Sequence, residues 1–342
     1  MDILFNDCYN LDLLNLLNIL CGDPAYLKIY PEVYTEFGHP LSLDSKQIVH
    51  QISSLLGSTL ISPPLAFTIS LIPTFDQKLL LDIFLDPEGF QEALEQYAPR
   101  LLPQKDQLFL LFQMLAPVIQ ELELLGFRDY WISECLPLIE ERQTAMEEYS
   151  IQSNYLSLLR EMFGQANLPE EIHIYLCALS APNGIRLAKH SCITDITFSD
   201  QKIFDFALHD AFQTFVMNWN SPGKLNELAK DPFIHLAFEK GIPTHGIESI
   251  EKFLQENIVE ALKIHLLNKG GLLPDPFNDL QTFKQGVYVL SMIFLDHLHW
   301  NFTGTEPLEA ILEDWIENLP VGNLMTIYTQ ALGRAGINLE DY

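Results

Sequence analysis

Apolar residues recur at helical spacing along most of the chain. Leu108, Leu111, Leu115, Ile119 and Leu122 fall on one stripe, which predicts a helix over Lys105–Leu125 with Pro117 as a kink. The same pattern predicts helices over Leu11–Leu20, Ser45–Leu56 and Pro87–Tyr97, with an extended apolar segment at Leu65–Ile72. From Tyr130 to Phe163 the spacing of Leu138, Met146, Leu156, Leu159 and Met162 reads as one long helix, ended by Gly164 and Pro169. A strand follows at Glu171–Leu179, then the turn Ala181-Pro-Asn-Gly184 and a second extended stretch over Ile185–Phe198. Ser199 or Asp200 can cap the next helix, which carries His209. A further amphipathic helix spans Ile247–Leu266. Beyond Gly270-Gly271, Pro274 and Pro276 the chain turns helical again over Phe283–His299, Pro307–Asn318 and Val321–Ala335.

These elements describe an α+β protein, mainly helical, with a small twisted sheet packed on the helix that carries His209. They suggest an α-rich region with a short sheet over 1–129, a core over 130–270, and a helical region over 271–342. No internal repeat, low-complexity tract or flexible linker interrupts them.

Composition narrows the function classes. At 342 residues and 48% apolar content the chain can bury a substantial core. A formal charge of −27 repels nucleic-acid phosphates and anionic lipid, so no nucleic acid and no membrane is expected as partner. The stretch between Lys46 and Asp76 lacks charge, but Gly57, Pro63-Pro64 and several serines divide it into a helix end, a turn and a strand. The start, Met-Asp-Ile-Leu-Phe-Asn-Asp-Cys, is acidic where an export signal needs positive charge, and a cytoplasmic protein of bacterial type is expected. Cys8, Cys21, Cys135, Cys177 and Cys192 are odd in number and contain no C-x-x-C pair. Free buried thiols are therefore expected, not a disulfide framework or a zinc ribbon.

The candidate chemistry lies at His209-Asp210-Ala211-Phe212-Gln213. In H-E-x-x-H, two histidines one helical turn apart bind zinc while the glutamate polarises a water. Here the first histidine is present, Asp210 stands at the base position, and the amide of Gln213 replaces the second imidazole. Long helix, strand, turn, strand and motif helix is the element order of zinc peptidase catalytic domains. Glu256, on the following amphipathic helix with Ala261 and apolar neighbours, suits a third ligand; Glu260 lies one turn further on.

With these residues in view, the chain resembles a divergent gluzincin-type metallopeptidase, whose third zinc ligand is a glutamate. More narrowly, it is similar to a bacterial family of gluzincin-like proteins of unknown function. Asn10-Leu-Asp-Leu-Leu-Asn-Leu-Leu17, Tyr30-Pro-Glu-Val-Tyr-Thr-Glu-Phe37, His39-Pro40 and Leu65-Ala-Phe-Thr-Ile-Ser-Leu71 carry that likeness over roughly the first three quarters. The resemblance implies a zincin-like core, with His209, Gln213 and Glu256 as metal ligands and Asp210 as the base.

The departures from H-E-x-x-H change what is expected. An amide oxygen is a poor zinc ligand beside an imidazole, and aspartate is one methylene shorter than the usual base. The expectation is a non-catalytic relative that holds a peptide or protein in the former active-site cleft, with no cofactor. The alternative is a zinc-dependent hydrolase with a variant H-D-x-x-Q…E site. His190 (placed on the second strand), His235 and His245 (placed in a loop) and His265 are the substitutes for the missing imidazole. His297-Leu-His299 on a helix splays its rings apart, and Tyr288 or His297 would stabilise an oxyanion in an active relative. No G-x-S-x-G, G-x-x-x-x-G-K-[ST] or G-x-G-x-x-G stretch supports another enzyme class.

Overall fold

The structure is a computed structural model that describes residues 2–58, 60–152, 155–163, 169–219, 222–245, 249–283, 286–302 and 307–337. The side chains of Leu156, Met162, Asp210 and His245 lie outside the described set, as do Gly164 and the expected helix start at Ile247. The protein is mainly helical with one four-stranded mixed sheet, an α+β composition. It divides into two compact units. One comprises Ile3–Glu148 and Ile172–Ser199; the other comprises Met1–Asp2, Tyr149–Glu171 and Asp200–Tyr342. Residues 130–270 are therefore shared between both units.

The sheet belongs almost entirely to the first unit. Its strands are β1 (Asp2–Asn6), β2 (Glu171–Cys177), β3 (Ile185–Arg186) and β4 (Ser191–Asp195), in the order β1-β2-β4-β3. The pair β2/β4 is parallel, with Tyr175 opposite Ile193, and β3/β4 is antiparallel, with Ile185 opposite Ile193. The expected single stretch Ile185–Phe198 is thus a hairpin. Lys189 and His190 sit at its tip with φ of 54° and 55°, in the left-handed region, where the chain reverses. His190 is consequently a turn residue, not a strand residue.

The expected extended segment at Leu65–Ile72 is instead a helix, Ser62–Ile69. Pro63 and Pro64 occupy its first turn, where the missing N–H groups cost nothing. Leu65, Ala66, Thr68 and Ile69 are all buried, so no polar face betrayed the helical period. One segment, Pro99–Leu124, is long and apolar enough to cross a membrane by length and composition alone.

The centre of this unit is the helix Tyr9–Leu20, buried continuously from Asn10 to Ile19. A helix buried on all sides has no water for its polar side chains; Asn15 finds no partner among the described residues, and the others are met from inside. Asn10 donates to the carbonyls of Phe75 and Lys78, and Asn18 accepts from the backbone N–H groups of Ile61 and Ser62. Asp12 accepts from Trp131 Nε1 at 2.9 Å and from the N–H groups of Ala178 and Leu179 just beyond β2. This carboxylate thereby ties the central helix to the end of the sheet. Nearby, Asp195 at the end of β4 accepts from Ser180, Ala181, Tyr30 and Thr197.

Burial pushes the Asp12 carboxyl up to about 7, outweighing the three donors that favour its charge. A carboxyl raised on folding lends stability that is complete below its unfolded value and lost as pH rises through the folded one. For a shift of this size the loss between roughly pH 4 and 8 is on the order of 4 kcal/mol. Urea unfolding from pH 5 to 8 should show this falling component in the wild type and lose it in Asp12→Asn. That variant should also be weaker at pH 5, by about 1–3 kcal/mol, because its NH₂ faces N–H donors.

Candidate functional site

The second unit is built around the helix Ile250–Lys269, which Ser249 caps by accepting from the N–H of Lys252. The motif helix, Asp200–Asn218, and the helix Val289–Asn301 pack against it. From Asn257 to Leu267 every residue of the central helix is buried, including Asn257, Glu260, Lys263 and His265. Asn257 accepts from the N–H groups of Leu290 and Ser291, which satisfies donors at the start of the neighbouring helix.

On the motif helix, Asp205, His209 and Gln213 follow at intervals of four and share one face. On the central helix, Glu256, Glu260 and Lys263 also share a face. The two faces meet with the helices antiparallel, since Asp205 pairs with Lys263 while Gln213 pairs with Glu256. His209 Nε2 lies 3.3 Å from Glu256 Oε2, and Gln213 Nε2 donates to Glu256 Oε1 at 2.9 Å. One turn along, Lys263 Nζ contacts Asp205 Oδ1 at 2.8 Å and Glu260 Oε2 at 2.9 Å. The result is a polar seam between two helices.

The seam is nearly dry around Glu260 and Lys263, although Asp205 is 38% exposed. The Lys263 and Glu260 side chains are 3% and 6% exposed, whereas His209 is 31% exposed. Burial works against the Lys263 charge, but the Glu260 and Asp205 carboxylates outweigh it and push the ammonium pKa up. Tyr288 is also buried beside the seam. Burial and the charges of Glu260 and Glu256 push its phenol up, which keeps it a neutral hydroxyl.

The structure thus brings His209, Gln213 and Glu256 together. Asp210 is placed on the motif helix by its backbone, and its side chain lies outside the described residues. Glu260 is not the surface residue that one of the two glutamates was expected to be, because the lysine beside it allows its burial. Asp205 and Lys263 were missed, although a lone lysine within Val-Glu-Ala-Leu-Lys-Ile-His-Leu-Leu was a signal for a buried ion pair.

The donors do not fit a catalytic zinc. A spacing of 3.3 Å between two ligand atoms matches the edge of a tetrahedron with bonds of about 2.0–2.1 Å. But Gln213 presents its N–H to Glu256, not a carbonyl oxygen to an ion. One imidazole, one carboxylate and one amide fall short of the two histidines and a glutamate of a gluzincin site. Among the described residues no group of three His, Cys, Asp or Glu side chains is placed to hold a metal.

The substitute histidines are accounted for elsewhere. His190 is at the hairpin tip of the other unit, and His235 lies within the helix Pro232–His245, not in a loop. His265 is buried edge-on to Phe302, and burial lowers it to about 4, with Lys269 and His299 adding to the effect. His297 and His299 sit on the helix Val289–Asn301. All five cysteines are buried and free, and burial pushes the Cys8 and Cys21 thiols up to about 12. No family model, curated protein or solved structure matches the chain.

Lys263 is the one cation given to the inner seam by these contacts, so its removal should be severe. Lys263→Met should cost about 3–5 kcal/mol in denaturant unfolding, because the buried Glu260 loses the ammonium it faces. Lys263→Met with Glu260→Met should recover most of that loss. A double variant as unstable as the single one would show that the pair does not set the cost.

Proposed function

We propose that the protein is a non-catalytic gluzincin-like protein with a zincin-like core, acting in the cytoplasm. On this reading it holds a peptide or protein beside the His209–Glu256 seam. The observation that carries the reading is the state of Glu256: one carboxylate oxygen takes the Gln213 amide and the other faces His209. The side chains that would clasp an ion instead clasp one another and cross-link two helices. The exposed edge of His209 is the accessible end of the seam, and a chain of net charge −27 attracts cationic segments.

The experiment pairs metal analysis with a binding assay. Protein purified without chelator should carry no stoichiometric zinc. Fluorescent basic, neutral and acidic peptides should rank in that order of affinity. The basic ones should bind uncleaved and weaken with His209→Ala and with salt. Stoichiometric zinc that is lost in His209→Ala, or peptide cleavage, would sink the reading, as would binding indifferent to His209.

A second reading, a zinc-dependent hydrolase with an H-D-x-x-Q…E site, is favoured by one observation: the 3.3 Å His209–Glu256 spacing suits two ligands of one ion. Rebuilding the motif separates the two. Asp210→Glu with Gln213→His supplies a second imidazole opposite a glutamate already in reach. Zinc affinity measured by titration should rise by about a hundredfold or more. Peptidase activity should stay absent, because an oxyanion stabiliser and a substrate groove are separate requirements. Unchanged zinc affinity would show that His209 and Glu256 do not converge in solution.

A further inference from the structure

The second unit contains a pocket of about 430 Å³ between the helices Val289–Asn301, Leu308–Asn318 and Leu324–Arg334. It is distinct from the His209–Glu256 seam, and its volume is within the usual range for small-ligand sites. Ile293, Trp315 and Ile327 give it apolar walls. Trp300 stands at its edge with 64% of its surface exposed, which leaves a large aromatic face uncovered.

The polar groups around these walls are biased toward accepting hydrogen bonds. Asn301 gives its NH₂ to the carbonyl of His297, at 3.0 Å, on its own helix. Asn318 gives its NH₂ to the carbonyl of Asp314 and to Asp314 Oδ1, at 2.8 and 3.0 Å. Both amides have committed their donors locally, so what they present outward is carbonyl oxygen. Asp314 adds a carboxylate, for which Asn318 is the partner among the described residues.

The cationic groups in the pocket do not offset this. Arg334 is held by Asp296, with Nε donating to Oδ1 at 3.0 Å and a short second contact from its NH₂ group to Oδ2. That bidentate pair is neutral as a unit. Burial lowers the His297 pKa against the opposing charges of Asp314 and Asp296, so the ring is neutral at pH 7. One net negative charge, two amide carbonyls, a largely exposed indole flanked by His299, and apolar walls remain. We propose that this pocket binds a primary ammonium carried on an alkyl stem. The head would rest between Asp314 and Trp300, where its N–H donors meet acceptors and its charge faces the indole, while the stem lies on Ile293 and Ile327. A free alkylamine and a lysine side chain share this chemistry.

Three probes with the same stem isolate the head group: pentylamine, pentanol and pentanoate, titrated by calorimetry. Pentylamine should bind at least about tenfold more tightly than pentanol, and pentanoate should not bind. Asp314→Asn, at an exposed position, should remove that preference. Trp300→Phe should keep affinity within about fivefold while reducing the ligand-induced change in tryptophan fluorescence to what Trp315 in the pocket wall contributes. Acetyl-lysine-methylamide, acylated at its α-amine only, identifies the source. Binding at least as tight as pentylamine assigns the site to a lysine side chain, and weaker binding assigns it to a free amine. Pentanol binding as well as pentylamine, or Asp314→Asn leaving the affinity unchanged, would overturn the proposal. None of these variants touches His209 or Glu256, so failure here leaves the peptide-binding reading standing and the converse also holds.

Discussion

The second unit depends on one buried cation. Its central helix, Ile250–Lys269, is enclosed on all sides, yet it carries Glu256, Glu260 and Lys263 on a single face. Taking these charges out of water costs several kcal/mol each unless they find one another. Lys263 resolves this by standing between Glu260 on its own helix and Asp205 on the motif helix. That contact fixes the register of the two helices. The register in turn carries Gln213 to Glu256, since Asp205, His209 and Gln213 share one face of the motif helix. The candidate site is therefore a consequence of how the unit neutralises its interior charge.

The first unit solves the same problem differently. Its central helix, Tyr9–Leu20, is equally enclosed but holds no cation. Asn10 and Asn18 are satisfied by backbone groups of the segments around it, and Asp12 by Trp131 and two N–H groups at the end of β2, whereas both side-chain polar atoms of Asn15 are buried without a hydrogen-bond partner among the described residues. Without a counter-ion the cost of burial remains visible as a raised carboxyl, where the second unit hides it in an ion pair. Both central helices come from stretches of similar look, Asn-Leu-Asp-Leu-Leu-Asn and Glu-Ala-Leu-Lys-Ile-His, with polar residues set into apolar runs.

That look explains what the sequence disclosed and what it withheld. Helices with one wet face were legible to within a few residues: Pro87–Tyr97 was placed as it stands, and Lys105–Leu125 ends one residue earlier. The period fails where every face is covered, so Ser62–Ile69 read as extended. The hairpin at Lys189-His190 was invisible because its left-handed positions lack the glycine or asparagine that signals such a turn. His209 and Gln213 share a helix face because their spacing of four projects directly onto it, whereas Glu256, on a separate helix, was named from the resemblance. Asp205 and Lys263 were not legible, since an ion pair between distant segments leaves no local spacing to read.

The same geometry bears on what the replacement of an imidazole by an amide does. In a metal site the ligand helices are held together by the ion, and losing a ligand exposes a buried glutamate to an unpaired charge. A glutamine at that position donates an N–H to the glutamate instead, at the length of an ordinary hydrogen bond. On the proposed descent, such a change removes the chemistry while retaining the link between helices. The seam at Lys263, one turn deeper, shares the task of holding the pair in register. Two helices linked in this way keep their register with no ion between them.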